Sequence, residues 1–150
     1  EALAMLLAGT TEWPLDHTAV VGSSLGGFYA TVLAERWGAS VRAVLLNPAV
    51  HPARDLATQI GETQAWHSHE RFFFQPEFID ELHSMTPTAI TAPQRYFAVI
   101  AKGDEVLDWR EMHARYAACS MRLIEGSDHA ISDFDDHLAA AISFLRLERA

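Results

Sequence analysis

The chain has 150 residues, enough for one domain with a substantial core. Its apolar fraction of 49% and charged fraction of 21% exclude a mainly disordered chain. Lys+Arg 11 against Asp+Glu 20 gives a net charge of -9, which argues against nucleic acid and anionic membranes as partners. No apolar run approaches the ~18 residues of a membrane-spanning helix.

Residues 1–9 (EALAMLLAG) are apolar and helix-prone, with no basic residue to suit a signal peptide. No cap precedes Glu1, so the chain is expected to begin inside a helix, with further sequence upstream. Thr18–Gly22 (TAVVG) is a candidate buried strand. Leu25, Phe28, Tyr29, Val32 and Leu33 then recur at helical spacing until Gly38. Val41–Leu46 (VRAVLL) is a second strand, stopped by Asn47-Pro48.

Residues 48–93 carry Pro48, Pro52, Pro76, Pro87 and Pro93 among scattered aromatics, and read as short helices and loops without a clear strand. Tyr96–Lys102 (YFAVIAK) is the third strand, Asp108–Ala117 a helix and Met121–Ile124 the fourth strand. Phe134, Leu138, Ile142 and Leu145 set the apolar face of a closing helix. No repeat or polar linker divides the chain, so residues 1–150 form one domain. Strands alternating with helices imply an α/β fold, a mostly parallel sheet with helices on both faces.

Gly22-Ser23-Ser24-Leu25-Gly26 matches G-x-S-x-G between a strand and a helix. A chance match occurs in roughly 2% of chains this long at ordinary composition, and the strand-before, helix-after context lowers that further. A serine there sits on a sharp, strained turn, and flanking glycines let the backbones approach closely. Its hydroxyl is held above the carboxyl ends of the strands, beside a helix N-terminus that favours negative charge. Ser24 is then a candidate nucleophile, and the Leu25 N–H a candidate oxyanion donor. The bland alternative is a glycine-rich turn that only packs helix on strand. Ser23 lacks glycines at the matching positions, where Val21 and Leu25 stand.

A serine needs a base, and the base an orienting acid, in the chain order Ser, acid, His for this turn type. Asp104 is the first acid beyond the third strand. Asp108 is its rival but more naturally caps the next helix, with Glu111 three residues on. Glu105 is expected to be solvated. His129 follows the fourth strand, where the base belongs, although a surface loop histidine would look the same. His137 is expected at an exposed helical position. His67-Ser68-His69-Glu70 has no third and fourth ligand at zinc-like spacing, so no metal site is expected. The lone Cys119 excludes an internal disulfide and reads more naturally as a small buried hydrophobe than as a nucleophile.

The runs VVGSSLGGFYAT (20–31), LLNPAV (45–50), KGDEVLD (102–108) and IEGSDHAISDF (124–134) resemble the YqiA/YcfP-type esterase family of small α/β-hydrolases. The resemblance covers about residues 5–146. It implies an α/β-hydrolase fold and a bacterial cytoplasmic serine esterase with Ser24 as nucleophile, Asp104 as acid and His129 as base. The implied substrates are short-chain esters or acyl thioesters, with no metal or organic cofactor.

One departure stands out. The family's first strand and the His-Gly-Phe loop that supplies a second oxyanion donor have no counterpart here, and the chain contains no His-Gly dipeptide. The N-terminal strands are therefore expected upstream of Glu1. The resemblance also makes 48–93 a candidate lid-like insertion. Trp66, Phe72, Phe73, Phe74 and Phe78 could line an acyl site there or form an ordinary satellite core. Two readings compete with an esterase. One is a catalytically silent hydrolase-like binding domain, the other an acyl-CoA thioesterase, for which the scattered arginines supply no clear phosphate cluster.

Overall fold

The computed structural model describes residues 1–64 and 71–146. The elements in chain order are α1 (Ala2–Gly9), β1 (Ala19–Ser23), α2 (Leu25–Trp37), β2 (Arg42–Leu46), α3 (Pro52–Leu56), β3 (Gly61–Gln64), β4 (Arg71–Phe74), α4 (Pro76–Met85), β5 (Tyr96–Ala101), α5 (Trp109–Arg115), β6 (Ser120–Ile124) and α6 (Asp135–Leu145). The expected strands and helices are all present, with ends shifted by a residue or two.

The main sheet has the order β1-β2-β5-β6 and every pair is parallel. β5 is buried along its whole length. Alternation on the strands sorts the core into two layers. Ala43, Leu45, Tyr96, Ala98 and Ile100 point to one face and meet Ala30 and Ala34 of α2 and Met112 of α5. Val44, Phe97 and Val99 point to the other and meet Ala141 and Leu145 of α6. Because the strands are parallel, their carboxyl ends all lie along one edge of the sheet, and the loops leaving β1, β2, β5 and β6 gather there.

The phase of α6 differs from the expected one. His137, Ala141 and Leu145 are its buried residues, while Leu138 and Ile142 are 41% and 37% exposed. Phe134 and Phe144 pack on the same side as the buried set. The inward stripe runs 134, 137, 141, 144/145, also a helical spacing, so hydrophobicity alone sets the wrong phase. His137 is accordingly buried, not exposed. An Arg122 Nη1 sits 3.1 Å from its Nδ1, and the Asp133 carboxylate lies 3.6 Å from its Nε2.

Residues His51–Thr86 form a second compact unit, separate in its contacts from Glu1–Val50 with Pro87–Ala150. Within it α3 packs on α4, and Leu82 is buried. Contrary to the expectation of no strand in this region, β3 and β4 form an antiparallel pair, with Gly61 opposite Phe74. The run Arg71-Phe72-Phe73-Phe74 has high β propensity, but no turn dipeptide announces the pair. Phe74 and Phe78 meet edge to face at 5.4 Å, whereas Phe73 is 59% exposed. Trp66, His67-Ser68-His69-Glu70 and the Phe72 side chain lie outside the described residues.

A buried ionic network joins α2 to β5. The Arg95 side chain is 5% exposed, and its Nη1 donates to the carbonyls of Ala34, Gly38 and Val41 at 2.9, 2.7 and 3.1 Å. It thereby ties the carboxyl end of α2, where Ala34 O also accepts the Gly38 N–H at 3.1 Å, to Val41 just before β2. Glu35 receives Arg95 Nη2 at 3.3 Å, Thr91 Oγ1 at 2.6 Å and the Tyr96 hydroxyl. Burial raises the Glu35 pKa, but the donors from Thr91 and Tyr96 and the Arg95 charge outweigh it, leaving the carboxyl below its ordinary value.

A carboxyl with a lowered folded pKa stabilises the fold above its unfolded pKa, and that contribution disappears as pH falls through the folded pKa. Glu35→Gln is expected to cost about 2 kcal/mol at neutral pH, with a smaller cost in acid. Urea unfolding of both proteins at pH 7 and pH 3 checks this, and an equal difference at the two pH values would contradict it.

Candidate active site

Ser24 stands between β1 and α2 at φ 53°, ψ −123°, a region sparsely populated by residues other than glycine. Four backbone hydrogen bonds hold it there. Its N–H donates to Leu46 O at 2.9 Å, and its carbonyl accepts from Gly27, Phe28 and Ala49 at 3.0, 3.3 and 3.0 Å. Gly22 is required by close approach, since a Cβ there would stand 2.2 Å from Gly26 O. The other glycine of the motif is not under such pressure. A Cβ on Gly26 would meet open space, and the tight contact falls on Gly27 against Pro48 instead.

Asp104 and His129 come to this serine from the ends of β5 and β6. His129 Nε2 lies 2.9 Å from Ser24 Oγ, and His129 Nδ1 lies 2.8 Å from Asp104 Oδ2. The Asp104 side chain is 0% exposed and that of His129 11%. The second Asp104 oxygen accepts from Val106 N and Leu107 N, both at 2.8 Å. With one oxygen committed to the loop, the other is fixed toward the imidazole. Asp108, the rival acid, caps α5 and accepts from Arg110 N at 2.9 Å.

Glu105 is exposed, yet its Oε2 accepts the His129 N–H at 2.9 Å, so it is tied to the histidine loop and not simply solvated. The acid and histidine loops also touch directly. Gly103 N donates to Gly126 O at 3.3 Å, and a Cβ on Gly103 would stand 2.1 Å from Ser127 O. Any larger residue at 103 would drive the two loops apart.

Backbone strain gathers at this end of the sheet. Among the described residues, the non-glycine positions with positive φ are Ser24, Asn47, Ser127, Ile131 and Arg146. All but Arg146 lie on the serine turn, the β2 end or the histidine loop. Ile131 is the costliest of these chemically, being β-branched, and it is held by burial to 1% exposure. Asp128 receives Ser132 N and Oγ at 3.0 and 2.6 Å. Asp133 receives the Ser127 hydroxyl. These bonds, with the Ser127 hydroxyl first for Asp133, hold both carboxyls below their ordinary pKa values.

The Leu25 N–H belongs to the first turn of α2, where helix donors have no intrahelical acceptor. Cys119 packs against the α2/α5 side of the core, and burial pushes its thiol up to about 11. No three His, Cys, Asp or Glu side chains among the described residues are grouped to hold a metal ion. No helix among them is long and apolar enough to cross a membrane.

The model of the uncharacterised protein family UPF0227 matches residues 4–146. Mouse alpha/beta hydrolase domain-containing protein 10 superposes with a TM-score of 0.67 at 18% identity, over 97% of this chain and 69% of its own. A monoacylglycerol lipase from Paleococcus ferrophilus gives 0.63 at 14% identity, over 98% of this chain and 74% of its own. Est1E from Butyrivibrio proteoclasticus gives 0.61 at 17% identity, over 85% and 58%. At these identities the likeness carries the fold, which is that of an α/β-hydrolase, and this chain spans only part of each neighbour's length.

Proposed function

This chain belongs to the UPF0227 family, the YqiA/YcfP-like group that its motifs resemble, and from that premise we propose that it is a serine carboxylic-ester hydrolase acting through an acyl-enzyme. The observation that carries the reading is the unbroken hydrogen-bond chain from Asp104 through His129 to Ser24, at 2.8 and 2.9 Å. These are the distances that nucleophile, base and orienting acid need to work as a unit.

In this reading Ser24 Oγ attacks the ester carbonyl carbon while His129 Nε2 takes its proton. The carbonyl π electrons move onto oxygen, and the Leu25 N–H donates to the resulting oxyanion. Asp104 keeps the proton of neutral His129 on Nδ1, and its negative charge stabilises the imidazolium that forms. As the tetrahedral intermediate collapses, His129 protonates the departing alcohol or thiol. It then deprotonates a water that attacks the acyl-Ser24 carbonyl, and the same steps release the acid and free serine. The scheme uses no cofactor.

Small-molecule esters or acyl thioesters of short chain length are the proposed substrates, and the cytoplasm is the proposed setting. Residues 48–93 are the proposed lid-like insertion of the domain. Turnover of p-nitrophenyl acetate, butyrate and octanoate, beside the matching acyl thioesters, tests the substrate class. The shorter acyl chains are expected to give the highest kcat/KM. No turnover of any of them by the native protein would contradict the reading.

A further inference from the structure

Asn47 has no place in the scheme above, yet it is 0% exposed, at the carboxyl end of β2. Its φ of 40° is unusual before a proline. A buried amide is costly unless its groups are satisfied, and here they are. Its Oδ1 accepts from Ala101 N at 2.8 Å. Its Nδ2 donates to Asp128 O and His129 O, both at 3.0 Å. Its backbone N–H donates to Val99 O at 3.0 Å. The amide orientation is fixed by these partners, because one is a donor and the other two are acceptors.

The partners matter more than their number. Ala101 is the last residue of β5, and its own carbonyl accepts the Asp104 N–H at 3.3 Å. His129 O belongs to the peptide of the histidine itself. On the strand preceding Asn47, Leu46 O accepts the Ser24 N–H. One buried amide therefore stands where the backbones carrying serine, acid and histidine converge. Glu105 holds the His129 N–H, so the histidine is gripped through both its N–H and its carbonyl.

We infer that Asn47 is a positioning residue for the Asp104–His129–Ser24 chain, acting by fixing the His129 main chain between β2 and β5. The inference rests on the esterase reading for its effect on turnover, but its effect on the histidine is independent of turnover.

The test compares the native protein with Asn47→Asp and Asn47→Gly. The first keeps the shape and the Ala101 acceptor but turns an oxygen toward two carbonyls. The second removes the side chain and relieves the positive φ. In variants that remain folded, kcat with p-nitrophenyl butyrate is expected to fall about 10²-fold, the scale of a small misplacement of a catalytic group, while KM changes little. The downfield proton resonance of the His129 Nδ1–H bonded to Asp104 is expected to weaken or shift.

An unchanged kcat and an unchanged resonance in a folded variant would overturn the inference. So would loss of folding in both variants, which would assign Asn47 to sheet stability alone. If the native protein shows no Ser24-dependent turnover, the esterase reading fails, and the histidine resonance still decides the role of Asn47.

Discussion

Ser24→Ala is expected to lower kcat for ester hydrolysis about 10⁵–10⁶-fold, with the fold retained. The backbone bonds that hold position 24 run through its N–H and carbonyl, and alanine keeps both. What alanine loses is the hydroxyl 2.9 Å from His129 Nε2, so no acyl-enzyme can form. The stability change should stay at about 1 kcal/mol, the usual net worth of one hydrogen bond. Initial rates and thermal unfolding of the two proteins check this. Turnover that survives the substitution would show that another group performs the reaction.

Asp104→Asn is the second large effect, expected at about 10⁴-fold in kcat at neutral pH. The two Asp104 oxygens have different tasks. Val106 N and Leu107 N occupy one Asp104 oxygen, so an asparagine must keep its carbonyl there to avoid a buried clash of donors. Its NH₂ then faces His129 Nδ1, which has to accept. The imidazole proton moves to Nε2, where it points at Ser24 Oγ and blocks proton abstraction. Asp108→Ala is the control. Asp108 caps α5, so its loss should cost about 1 kcal/mol of stability and leave turnover alone. The reverse pattern, with Asp108 essential and Asp104 dispensable, would move the acid role to the rival.

That Ser24, Asp104 and His129 meet was legible because each follows a recognisable strand, and a parallel sheet brings strand ends together whatever the details of packing. Residues that act through distant partners left no such trace. Asn47-Pro48 reads locally as a strand stop, and nothing nearby in sequence indicates bonds to Ala101 and His129. Arg95 looks like one more scattered arginine until Glu35 and the end of α2 are folded against it.

His137 departs from expectation for the opposite reason, since a polar side chain on a helix need not face solvent when Arg122 and Asp133 stand beside it. Glu105, by contrast, is exposed as expected and in addition accepts the His129 N–H. In α6 two helical phases were available, and the residues opposite the sheet decided between them. The β3–β4 pair joins two runs with no turn signature between them, so nothing local in the sequence announces it. At the serine turn the glycine pattern was right in outline, but the pressure on the helix side falls on Gly27 and not on Gly26.

The central claim is that Ser24 is a nucleophile activated by His129. Its most direct test is intact-mass measurement and peptide mapping after treatment with a fluorophosphonate, which reacts covalently with an activated serine. A single adduct is expected, located on Ser24 and absent from His129→Ala. No adduct on Ser24 in the folded native protein, or an equal adduct in His129→Ala, would contradict it.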